Sequence, residues 1–141
     1  MRQLTDLLVR RLEDGRRRLE APLEYDLGFH MKGALVALDS DDFKSGVFSR
    51  LIEGKPRTVI VVPAGFETDF SSVPAILDGI YNWSDIDVAG VVHDYLYHLG
   101  FPRKTADSVW YKIAKANIGT IRAWLGYVAL RVGGRSHWNG K

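Results

Sequence analysis

With 141 residues, 46% of them hydrophobic, the chain has enough apolar material for one core and too little length for two comfortable ones, so a single domain is expected. The formal charge is only +2, and the absence of cysteine excludes a disulfide framework and any thiolate metal site. No run approaches the ~20 apolar residues of a spanning helix, and Met1-Arg2-Gln3-Leu4-Thr5-Asp6 lacks the apolar core of a secretory signal.

The pattern predicts an α+β chain, with N-terminal antiparallel hairpins or a small sheet packed against a C-terminal bundle of about three helices. The expected organisation is β-rich over 1–65, loop over 64–83, helical over 84–132 and a polar tail over 133–141. Leu7–Leu12 and Arg18–Tyr25 read as strands flanking Glu13-Asp14-Gly15-Arg16, where Asp-Gly is a tight-turn signal. An arginine-rich helix over Leu4–Leu19 is the alternative, weakened by Gly15 in its interior. Gly28–Ser49 has no clear period, and Asp39–Asp42 marks a loop. Arg57–Val62 is a β-branched strand with Gly54-Lys55-Pro56 before it and Pro63 after it. Ala64–Pro74 is turn-rich rather than regular. Ser84, with Asp87 three residues on, resembles a capping box opening a helix that Gly100 and Pro102 close. A second helix is expected from Pro102 to Asn117 with Gly119 as terminator, and a third from Thr120 to Val132. Most of the aromatic residues fall at helical spacings and are expected in the core.

The chemistry concentrates in the helical half. At 100° per residue, His93 shares a face with Ile86, Ala89, Gly90, Leu96 and Tyr97, and so points to the core. Asp107 shares a face with Trp110, Tyr111 and Ala114. A carboxylate driven inward needs a partner, and the imidazole is the nearest candidate. In such a pair Asp107 accepts from one ring nitrogen and leaves the other free to take a proton from water. The bland alternative is a buried structural hydrogen bond. Asp94 projects toward the polar side, near Asp87 and His98. It could be simply solvated, or could converge with Asp69 on a hard cation such as calcium. Zinc fits less well, since His93 and His98 are five apart and do not form an i, i+4 pair. Residues 68–74 also read as a loop in which Asp and Ser cap backbone amides, and neither Ser71 nor Ser72 sits in a nucleophile elbow. The N-terminal arginines, from Arg10 to Arg18, and Arg131, Arg135 and Lys141 could meet phosphate, although a solvated surface is the commoner outcome.

Val62-Pro63-Ala64-Gly65-Phe66-Glu67-Thr68-Asp69-Phe70-Ser71-Ser72-Val73-Pro74, Val92-His93-Asp94-Tyr95-Leu96-Tyr97, Arg103-Lys104-Thr105-Ala106-Asp107 and an Arg-x-x-x-Gly-like helix end resemble a phage and prophage family, domain of unknown function 1353. The resemblance covers roughly residues 6 to 135, and the stretch 28–54 is longer than the family's usual connection. It implies a phage origin, synthesis in the host cytoplasm, and virion, tail or lysis contexts. A more distant similarity links His93-Asp94-x-x-Tyr97, followed by Asp107, to phospholipases that cleave the sn-2 ester. That resemblance implies His93 as the base, Asp107 as its orienter, Tyr97 as a supporting donor and Asp94 as a calcium ligand, with Asp69 where the upstream calcium loop is expected. The flanking cysteines and glycine-rich calcium loop of those enzymes are absent. The expected function is therefore hydrolysis of lipid esters, with a lipid or membrane surface as partner. A non-enzymatic virion or tail protein bound to other phage proteins is the alternative. Nucleic-acid binding ranks last, and would be recognised by steep salt dependence.

Overall fold

The computed structural model of the chain describes residues 2–14, 16–31, 35–36, 46–68 and 83–133. They fall into two compact units, Met1–Glu67 and Thr68–Lys141. The arrangement is α+β as expected, with the strands preceding three helices.

The β-rich unit is built around two small sheets. The larger comprises β1 (Arg2–Gln3), β4 (Leu23–Asp26), β5 (Leu35–Val36), β6 (Gly46–Ile52) and β7 (Lys55–Val62) in the order β1-β4-β7-β6-β5. Its pairings are antiparallel except β5 with β6, which run parallel. β7 is the long central strand because its β-branched run suits a pleated, covered position, and Thr58 through Val62 are all buried. Glu53 and Gly54, both with positive φ (54° and 78°), close the two-residue hairpin between β6 and β7, the backbone that matches strand twist. Gly46 opens β6 at φ 131°, where a Cβ would come within 2.8 Å of the Phe48 ring.

β2 (Val9–Arg11), β3 (Arg17–Leu19) and β8 (Glu67–Thr68) form the second sheet, in the order β2-β3-β8. The expected hairpin is present, with Arg10 opposite Arg18, and Leu4–Leu19 is not a helix. The expected strand Arg18–Tyr25 is in fact two strands in different sheets. Pro22 cannot donate to a ladder, and the bend at Glu20–Ala21 ahead of it redirects the chain. Glu67–Thr68 falls in the turn-rich stretch, yet it supplies a short strand because it pairs in the second sheet. The turn residue Gly15, the loop Asp39–Asp42 and the segment from Asp69 to Pro74 lie outside the described residues.

The helical unit comprises α1 (Trp83–Leu99), α2 (Arg103–Ile118) and α3 (Thr120–Gly133), each within two residues of its expected bounds. α1 begins at Trp83, which places Ser84 inside the helix rather than at its cap; the side chains of Ser84 and Asp87 lie outside the described residues. α1 ends in a Schellman motif: Gly100 at φ 82° donates its N–H to Tyr97 O at 3.1 Å, and Phe101 N–H reaches Leu96 O at 3.1 Å. Pro102 follows as the N-cap of α2, one position earlier than its expected place in the first turn, and its carbonyl accepts the Ala106 N–H. Gly119, at φ 87°, ends α2 and offers its carbonyl to Ala123 of α3. Between these turns the core is filled by Val91, Val92, Leu96, Trp110, Ile113 and Leu130, each worth roughly 1.5–3 kcal/mol of burial. No helix among the described residues is long and apolar enough to cross a membrane.

Candidate functional site

His93 and Asp107 meet inside the helical unit. The three-residue link at Gly100–Pro102 returns α2 alongside α1, so a carboxylate in the second turn of α2 faces the middle of α1. Both side chains are fully buried, and Nε2 of His93 lies 2.7 Å from Oδ1 of Asp107. With the carboxylate ionised, Nε2 carries the hydrogen and donates. Tyr97, one turn beyond His93, packs its ring tilted against the imidazole at 4.1 Å between ring centroids and donates its hydroxyl to the same Oδ1 at 2.5 Å. Arg131 of α3 reaches the other oxygen, Nη1 to Oδ2 at 2.9 Å. Each of α1, α2 and α3 thus contributes to this one site.

These partners set the charge states. Burial by itself would raise the Asp107 carboxyl pKa, but the hydrogen bonds from His93 and Tyr97, the charge of His93 and the hydrogen bond from Arg131 hold it below the ordinary carboxylate range. Burial pulls the His93 imidazole down, and the hydrogen bond to Asp107 together with the nearby Asp94 charge more than offsets it. The net shift is upward. Burial and then the Asp107 carboxylate push the Tyr97 hydroxyl far up, so it stays a donor.

The second ring nitrogen, Nδ1, is buried and has no hydrogen-bond partner among the described residues. Its nearest acidic neighbour is Oδ1 of Asp94 at 3.8 Å, too long for a hydrogen bond. Asp94 is less solvated than its helical projection predicts, with its side chain 16% exposed. The Thr68 hydroxyl donates to its other oxygen. The structure thus brings together His93, Asp94, Tyr97 and Asp107, while Asp69 lies outside the described residues.

Two contributors escape the sequence reading. Arg131 counts there as part of a solvated basic cluster, although an inward carboxylate beside a single imidazole leaves one oxygen in need of a cation. Arg103 ties α2 to α3 by donating from Nη2 to the last carbonyls of α3, Leu130 O at 3.2 Å and Arg131 O at 3.1 Å, and so fixes the helix end from which Arg131 projects. Of the N-terminal arginines, Arg16 and Arg18 are engaged by Glu67 at 2.9 and 2.8 Å.

Calcium takes six to eight oxygen ligands. Among the described residues Asp94 is the one carboxylate beside the dyad, and no group of three or more metal-binding side chains converges among them. The described residues alone do not fit the ion.

No curated protein and no solved structure matches the chain. The profile of the family described as Protein of unknown function (DUF1353) matches residues 47–130, more than half of the chain, and the match takes in His93, Asp94, Tyr97 and Asp107. The chain belongs to that family.

Proposed function

We propose that the chain is a hydrolase of lipid esters in which His93 is the general base. The observation that carries this reading is the asymmetry of the imidazole: Nε2 is committed to a buried, anionic Asp107, and Nδ1 is left with its lone pair and no partner among the described residues. In the reaction, a local opening of the packing around the buried Nδ1 admits water and substrate, and Nδ1 accepts a proton from the water as its oxygen bonds to the ester carbonyl carbon. The imidazolium is stabilised by Asp107. It then returns the proton to the departing alkoxide as the carbon–oxygen bond breaks, which regenerates neutral His93 and releases acid and alcohol. Asp107, Tyr97 and Arg131 hold the ring in place and do not touch substrate. The order His93-Asp94-x-x-Tyr97…Asp107 supports the lipid ester as substrate through its similarity to the sn-2 phospholipases. Asp94 takes the position of the calcium ligand in that similarity, and no step is assigned to the ion.

A second reading, a structural histidine–aspartate pair in a virion or tail protein, is favoured by the complete burial of both side chains. Fatty-acid release from mixed phosphatidylcholine and phosphatidylglycerol vesicles separates the two. The wild type should release fatty acid, and a folded His93→Ala variant should be slower by on the order of 10²–10⁴. Loss of the rate in chelator assigns calcium to the site. No release under any condition contradicts the hydrolase and leaves the structural pair.

A further inference from the structure

α3 is apolar on the side that its own core does not use. Ala123, Gly126 and Leu130 are buried, whereas Ile121, Trp124, Leu125, Val128 and Val132 are between 40% and 83% exposed. At 3.6 residues per turn these five fall within an arc of about 100° opposite Leu130. Scattered surface leucines need no explanation, but a continuous exposed stripe along a whole helix does. Trp124 belongs to an aromatic cluster, its ring 5.6 Å from Tyr127 and 6.4 Å from Tyr111 of α2. Trp and Tyr are the side chains that favour a boundary between apolar and wet surroundings.

The charge carried by α2 and α3 is largely of one sign. From Arg103 to Gly133 the chain carries six cations, Arg103, Lys104, Lys112, Lys115, Arg122 and Arg131, and one carboxylate, the buried Asp107, which Arg131 already answers. Lys104 and Lys115 lie seven residues before and four after Tyr111, on the same stripe of α2, and both are exposed. A second copy of the chain docked here would set these cations against their own copies. Anionic headgroups would answer the cations while the acyl boundary receives the apolar side chains. At 14 residues α3 is too short to span a bilayer, so it would lie in the plane of the interface.

We propose that the outer face of α3, flanked by the lysines of α2, docks on bilayers rich in anionic phospholipid. This deepens the lipid-ester reading and rests on it for the biological substrate, while docking itself is measured without hydrolysis. The full chain is mixed with vesicles of ether-linked phosphatidylglycerol or ether-linked phosphatidylcholine, which offer no ester to cleave, and the bound fraction is read by flotation. Binding should favour phosphatidylglycerol and weaken with salt. Lys104→Gln/Lys115→Gln should lower the affinity about thirtyfold. Ile121→Ser/Leu125→Ser, at exposed positions that leave the core intact, should lower it at least roughly tenfold. No binding, equal binding to both lipids, or binding that neither double variant changes overturns the proposal. A concentration-dependent dimer dispersed by Ile121→Ser/Leu125→Ser, without vesicle binding, also overturns it and gives the face to a second copy. Vesicle binding without ester hydrolysis supports the docking face and removes the hydrolase reading. Hydrolysis of a dissolved short-chain ester without vesicle binding removes the docking face alone.

Discussion

Asp107 has no access to solvent and accepts from three donors, so among the described residues its charge is stabilised by His93, Tyr97 and Arg131. Removing that charge leaves the buried imidazole and the Tyr97 hydroxyl without their anionic acceptor, while Arg131, 36% exposed, can turn to water. Asp107→Asn should therefore cost about 3 kcal/mol in chemical denaturation, within the range for a broken buried ion pair. The same pair makes stability depend on pH in two directions. The His93 pKa is raised above 6.5, so its contribution is complete below that value and is lost as pH rises through the raised one. The Asp107 pKa is lowered from 3.8, so its contribution is complete above that value and is lost as pH falls through the lowered one. The difference in stability between wild type and Asp107→Asn should accordingly peak between the two and shrink toward both acid and alkali, as denaturation midpoints across the pH range would record. The inward placement of His93, Tyr97 and Asp107 was legible because helical periodicity alone sends them to the apolar face. Arg131 was not, since an arginine at a helix end is ordinarily solvated, and only the position of Asp107 in three dimensions gives it a task. Asp94 projects to the polar side on a helical wheel, but a wheel contains no Thr68 to cover it.

The connection between α1 and α2 is what converts two separate sequence motifs into one site. Gly100 sits at φ 82°, where a side chain meets its own backbone, and its Schellman bonds return the chain within three residues. Gly100→Ala should cost about 1 kcal/mol, read as a lowered thermal midpoint. The helices were legible almost to their ends because strong periodicity and the glycines at 100 and 119 act locally. The strands were less so. The run from Arg18 to Tyr25 carries a continuous strand pattern, and which sheet each part joins depends on partners distant in sequence, β8 for one and β7 for the other. β5 and β6 lay within or beyond a segment without clear period, where pairing rather than propensity decides the structure.

Across the whole chain, charge is divided by role rather than by total. The net value of +2 conceals a helical pair whose cations outnumber its single, buried carboxylate, and an N-terminal arginine group partly answered by Glu67. Membership in a family of unknown function assigns no reaction, and a fold does not assign one either, so the chemistry must be read from the site. The most direct test of that chemistry is the pH–rate profile of phospholipid hydrolysis by the wild type and by folded Asp107→Asn. The wild-type rate should rise through an inflection above 6.5, where the raised His93 loses its proton. In Asp107→Asn the inflection should move down, and the rate should fall by on the order of 10²–10⁴ as the imidazole loses its tautomer control. A wild-type rate no greater than the uncatalysed one, or a profile that Asp107→Asn leaves unchanged, would contradict His93 as the base.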